Sequence, residues 1–251
     1  MGKKKRSSKN AVIRRRAENV IMICLAALIV ISGFKIYQIL HNYNENEDVY
    51  VKIAEEAKTE PTGFAGNIDF NALRKVNPDV VAWIYYKDSH IDYPIVQGSD
   101  NSKYLTTMFD GSYADFGTLF VDAITDAPFR QFNTIVYGHH MRNGSMFGDL
   151  KKLKDQAYCN EHPEFLFVTP DGRYKLQIWA FLNQPSDSEI YTTNISDTDA
   201  KEAYIEMVES IANYTTGVSV ESSDRIVVLS TCAYEYQDAR YMVVCKMVPW
   251  E

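Results

Sequence analysis

From Val80 onward the chain is a succession of short strand-type runs separated by turn residues: VVAWIYY, IDYPIVQ, GTLFVD, NTIVYG, EFLFVT, YKLQIWAFL, RIVVLSTC and RYMVVCKMV. They are rich in Val, Ile, Tyr and Phe, residues that fit a pleated, half-buried surface. Eight runs at this spacing predict a β-sandwich or a closed β-barrel. The PDG at 170–172 predicts a hairpin between two of them. Two segments break the pattern. Residues 147–158 read as helical. Residues 197–213 place Tyr204, Ile205, Val208, Ile211 and Ala212 on one stripe, with Ser196 and Asp199 spaced as a capping box and Gly217 closing the segment. Before the strands, residues 67–76 predict a short amphipathic helix stopped at Asn77-Pro78.

The N-terminal part has another character. Residues 20–40, VIMICLAALIVISGFKIYQIL, carry Lys35 as their one charge, and a bilayer needs roughly 20 apolar residues. Eight Lys and Arg precede them against Glu18 alone, which predicts a cytoplasmic N-terminus with the remainder outside. A cleaved secretory signal is the alternative, since the uninterrupted apolar run is shorter. The lack of a small-x-small site after that run favours an uncleaved anchor. The expected organisation is a basic tail over 1–19, a span over 20–40, a linker passing into helix over 41–60 with breakers at Pro61, Gly63 and Gly66, and an extracellular domain over 61–251. Residues 1–40 carry a net +8 and the rest −15, so that the chain totals −7. An acidic outer domain argues against nucleic-acid binding.

Cys24 lies in the span, leaving Cys159, Cys232 and Cys245 outside. Three thiols cannot all pair, so this is not a disulfide-stapled module. Cys159 stands in a polar context that predicts exposure, and Cys245 alternates within a strand. Cys232 ends one strand-type run and Arg240 begins the next. Paired antiparallel, these runs bring thiol and guanidinium together at one end of the sheet. A guanidinium favours thiolate and offers rigid donors to an oxyanion. A core cysteine beside a rim arginine is equally compatible with this spacing. Among five His, His139 follows NTIVYG and Gly138 at a strand end, while His90 and His162 read as surface residues. No GxSxG elbow is present, and no CxxC or HExxH spacing supports a metal for the His139-His140 pair.

TIVYGHHMRNGSMF, followed some ninety residues later by VVLSTCAYEYQDARYMVV, resembles the sortases, and among them class B. The resemblance extends over residues 68–248 and includes NPDVVAWI, DYPIVQG and DNSKYL. It implies an α+β fold, mainly β: a closed eight-stranded barrel with N-terminal helices and a helical insert before the cysteine strand. It implies a membrane-anchored cysteine transpeptidase of a Gram-positive cell surface, with no cofactor and no metal. By residue, Cys232 matches the nucleophile, His139 the general acid/base and Arg240 the oxyanion stabiliser. Asn101, Leu105, Ser230 and Tyr191 match substrate-groove positions, and His140 is assigned no catalysis. The implied partners are secreted proteins ending in an N/S-P-x-T-x sorting signal and a peptidoglycan amine. A pilin-polymerising sortase or a hydrolytic surface cysteine protease are the alternatives. The sequence departs from the family pattern at Val228, where Thr is usual, and at Ala233, where an acidic residue often stands.

Overall fold

A computed structural model describes residues 3–58 and 67–250. The breakers Pro61, Gly63 and Gly66 lie outside the described residues. The chain forms two compact units, Met1–Val51 and Lys52–Glu251. The first is helical, part of α1 (Lys3–Ala57). Its stretch Glu18–Tyr37 has a mean hydropathy of 2.4 and is long and apolar enough to cross a membrane.

In the second unit α1 ends by burying Ile53 and Ala57. Then α2 (Phe70–Val76) starts at Asp69, whose carboxylate accepts from the Asn71 and Ala72 N–H groups and so satisfies two donors that have no partner within the helix. It stops before Pro78 and buries Phe70 and Leu73. The strands follow as β1 (Val80–Tyr85), β2 (Asp92–Val96), β3 (Leu119–Val121), β4 (Asn133–Tyr137), β5 (Glu164–Thr169), β6 (Gly172–Pro185), β7 (Tyr214–Thr215), β8 (Arg225–Cys232) and β9 (Ala239–Pro249). In space they run β5-β1-β2-β3-β4-β8-β9-β6, and β5 also pairs with β6. That last pairing closes an eight-stranded barrel, and β7 adds to the outside of the ring along β6. A sandwich is thereby excluded, and each of the eight strand-type runs supplies one stave. Two of the pairings are parallel, β2 with β3 and β4 with β8. Parallel neighbours need a crossover. α3 (Lys103–Thr106) lies in the first connection, and α4 (Gln156–Glu161) and α5 (Thr198–Ile211) in the second.

β8 is apolar almost continuously because both of its faces are covered. Ile226 and Val228 join Met242, Val244, Trp179 and Leu182 in a cluster with Tyr204 and Val208 of α5, while Val227 and Leu229 on the opposite face are also fully buried. Each large apolar side chain so buried contributes about 1.5–3 kcal/mol.

Three local expectations are corrected. The N-cap of α5 is Asp197, accepting from the Ala200 N–H, in place of the Ser196/Asp199 box. The helix ends at Ile211, where the Asn213 N–H donates to the Phe181 carbonyl and draws the chain into β7, so Gly217, at φ +86°, turns the chain after that strand. Residues 147–158 do not form one helix. A 3₁₀ segment, Gly148–Lys154, is interrupted by Asp155 in extended conformation, whose carboxylate then caps α4.

Candidate active site

β4 and β8 lie side by side and parallel, with Tyr137 opposite Ser230. The Gly138 N–H continues the ladder by donating to the Ser230 carbonyl at 3.1 Å. His139 therefore leaves the end of β4 beside Cys232 at the end of β8. Gly138 is needed because a Cβ there would stand 2.4 Å from Leu119 Cδ2 and 2.6 Å from Phe147 Cδ2. On the other side of β8, Cys232 is the direct antiparallel partner of Arg240 in β9. Thiol, imidazole and guanidinium thus stand at one end of three adjacent strands, all half-buried.

They open into one cavity of about 370 Å³, which also takes in Asn101, Leu105, Tyr191 and Ser230. All seven residues singled out from the sequence come together there. Reading the sequence alone missed Phe120, Tyr137, Gly138, Ser186 and Thr231, which complete the lining. Tyr137 and Gly138, directly before His139, and Thr231, between Ser230 and Cys232, carried a signal, because their neighbours were already in view.

Hydrogen bonds fix how the groups are presented. His139 Nε2 lies 2.9 Å from the Leu105 carbonyl. A carbonyl only accepts, so His139 carries its proton on Nε2 in this arrangement. That carbonyl is held in turn by a close backbone approach: Gly117, at φ +52°, packs so tightly that a Cβ would meet the Tyr104 oxygen at 2.0 Å and the Leu105 oxygen at 2.8 Å. Tyr191 and Ser230 share a hydrogen bond of 2.7 Å. Burial pushes the Tyr191 phenol up to about 12; the Ser230 hydroxyl and the Arg240 charge pull it down, and Cys232 pushes it up. Tyr191 accordingly stays neutral and senses both the thiol and the guanidinium. Arg240 itself donates from Nη1 to the Ala239 carbonyl at 2.9 Å.

His140, given no role from the sequence, braces Cys232. Its Nδ1 donates to the Cys232 carbonyl at 2.6 Å, and its ring packs against Tyr234 and Tyr241 at 5.2 and 5.8 Å between centroids. His162 is no surface residue. Its ring stacks on Tyr158 at 4.2 Å, its Nδ1 donates to the Tyr158 carbonyl at 3.1 Å, and its Nε2 stands 3.5 Å from Asp88. His90 is half-exposed, but its Nδ1 and backbone N–H both bind the buried Asp149 carboxylate, at 2.8 and 3.0 Å. Cys159 is fully buried rather than exposed, beside Tyr214, and Cys245 is buried within β9; burial raises both thiols. Cys159, Cys232 and Cys245 are all free.

The family model for the sortase domain matches residues 84–248, and the chain belongs to the sortase family. Within that family it is of class B. It is 33% identical to Sortase B of Listeria monocytogenes over 218 residues, 86% of this chain and 89% of that protein. The structure of the Staphylococcus aureus sortase B-substrate complex superposes with a TM-score of 0.77 at 25% identity, covering 84% of this chain and all of that one. The sortase B structure from B. anthracis gives 0.75 at 31%, with the same coverage. The fold and the relatives together make the chain a cysteine transpeptidase of the sortase family.

Proposed function

We propose that this transpeptidase cleaves a C-terminal sorting signal of N/S-P-x-T-x type after Thr and joins the protein to a peptidoglycan amine. The observation that carries the reading is the single cavity shared by Cys232, His139 and Arg240 with Asn101, Leu105, Tyr191 and Ser230. A likeness to a sortase B solved with its substrate supports an extended peptide in that cavity. Cys232 Sγ attacks the Thr carbonyl carbon, and the Arg240 guanidinium steadies the oxyanion. Nε2 of His139 stays on the Leu105 carbonyl, and its free Nδ1 takes the thiol proton; the C–N bond breaks as the imidazolium so formed gives that proton to the leaving amine. A thioester remains on Cys232. The incoming amine then attacks that carbonyl, His139 takes its proton, and the C–S bond breaks as His139 passes that proton to the departing sulfur, returning thiol and neutral imidazole.

The proposed setting is a single-pass membrane protein. The basic residues 1–19 lie inside, 20–40 span, 41–60 connect, and the catalytic domain from residue 61 faces outward. Anchoring there raises the effective concentration of a lipid-linked acceptor. The test incubates the full chain in detergent with quenched N/S-P-x-T-x peptides, with and without an amine, beside Cys232→Ala. Cleavage after Thr, a covalent adduct on Cys232 and diversion of product from acid to amide are expected. Cleavage that the amine never diverts would make the chain a hydrolase, and cleavage by Cys232→Ala would remove the nucleophile.

A further inference from the structure

Asp122 follows the last residue of β3, is buried, and is absent from the cavity lining. Its hydrogen-bond partners include two side chains that do line it. Oδ1 accepts from Asn101 Nδ2 at 3.1 Å, and Oδ2 accepts from the Tyr137 hydroxyl at 2.8 Å. The Ile124 N–H adds a third bond to Oδ1 at 3.2 Å. The backbone of Asp122 is pinned as well, its N–H donating to the Ile135 carbonyl at 3.1 Å and its own carbonyl accepting from the Thr125 N–H at 3.0 Å.

The chemistry of these partners leaves Asn101 one orientation. Its Oδ1 accepts from the Ala123 N–H at 2.8 Å, and a backbone N–H can only donate. Its Nδ2 faces a carboxylate, which can only accept. Both ends agree, and the second Nδ2 hydrogen is the one side-chain donor of Asn101 not engaged by Asp122. Tyr137 is fixed in the same way. Burial and the Asp122 carboxylate both raise its phenol, so it remains a donor to Asp122. Its ring stacks on Tyr191 at 5.9 Å, and Tyr191 reaches Ser230. One buried carboxylate therefore orders a wall that runs from Asn101 through Tyr137 and Tyr191 to Ser230.

We infer that Asp122 is a positioning residue for substrate recognition, holding the Asn101 carboxamide so that the groove offers an N–H to a carbonyl acceptor of the bound peptide and holding Tyr137 as the base on which Tyr191 stacks. The inference rests on the peptide-binding reading of the cavity. Asp122→Ala removes both acceptor oxygens and leaves the Asn101 Nδ2 and the Tyr137 hydroxyl without their buried acceptor. Asp122→Asn is the conservative variant, because its oxygen can stay on Asn101 while its NH₂ donates to the Tyr137 hydroxyl, which also accepts.

The test uses full chains in detergent and the N/S-P-x-T-x peptide that the wild type turns over best. Asp122→Ala is expected to raise KM roughly ten- to hundredfold, the range for a hydrogen bond to a charged group, while changing kcat much less. Alkylation of Cys232 by iodoacetamide should keep its wild-type rate. In an Asn101→Ala background, Asp122→Ala should add little, because the two act through one contact. Full additivity, or a fall in kcat with KM unchanged, would overturn the inference. A second measurement is independent of turnover: with 15N-labelled asparagine, the Asn101 side-chain amide should exchange slowly with solvent in the wild type and quickly in Asp122→Ala. Equal exchange in the two chains would also overturn it. A chain that turns over no peptide would count against the proposed substrate, and the amide exchange would still decide whether Asp122 holds Asn101.

Discussion

Cys232, His139 and Arg240 each occupy a position that a neighbouring residue has narrowed. Cys232→Ala is expected to abolish thioester formation and turnover in a folded protein, read by mass spectrometry and circular dichroism. Arg240→Lys keeps the charge but loses the planar fork of donors, so kcat should fall roughly 10²- to 10³-fold in the peptide assay. Gly138→Ala would drive a methyl into Leu119 and Phe147, and should cost about 1–3 kcal/mol in denaturant unfolding. The residues proposed as catalytic were legible in the sequence because they stand at strand ends and because TIVYGHH and VVLSTCAYEYQDAR resemble the family's motifs. Asp122 was not legible: it reads as an acidic residue ending an apolar run, and nothing nearby in sequence tells that Asn101 and Tyr137 converge on it. The same holds for Cys159. Its polar neighbours predict exposure, but α4 turns the thiol inward beside Tyr214.

At the scale of elements, the loop that follows His139 is fastened to the β1–β2 turn by the Asp149 carboxylate. Asp149 binds His90 twice and Lys152 at 3.1 Å, and its N–H donates to the Gly144 carbonyl. Burial works against the charged carboxyl, but the bonds from His90 and Lys152 outweigh it and hold Asp149 below its ordinary 3.8. A carboxyl lowered on folding stabilises the protein fully above its unfolded value and loses that contribution as pH falls through the lower folded value. Asp149→Asn should therefore lower the melting temperature at neutral pH, and the gap from wild type should narrow below about pH 4. A gap that stayed constant down to acid unfolding would show that the fastening is not electrostatic. The eight staves themselves were legible from Val- and Ile-rich runs. Their order was not, since β2 beside β3 and β4 beside β8 are parallel neighbours separated by crossovers, and local pattern does not encode partners.

Across the whole molecule, the charge is split between a basic N-terminal stretch and an acidic remainder, with an apolar helical segment, Glu18–Tyr37, following the basic residues. The full chain is expected to enter the detergent phase on cloud-point separation. Removing residues 1–40 should move it to the aqueous phase and leave kcat/KM on a free peptide within about twofold, as for a domain with its own core. The barrel places β4, with its histidine, far ahead in the chain of β8 and β9, which carry the thiol and the guanidinium. As synthesis runs from N- to C-terminus, the histidine is made early and its two companions last. The slow, non-local step of docking β8 beside β4 must come before the three can meet. A nascent chain consequently carries a dormant thiol, and its chemistry begins only when the last hairpin has joined the ring.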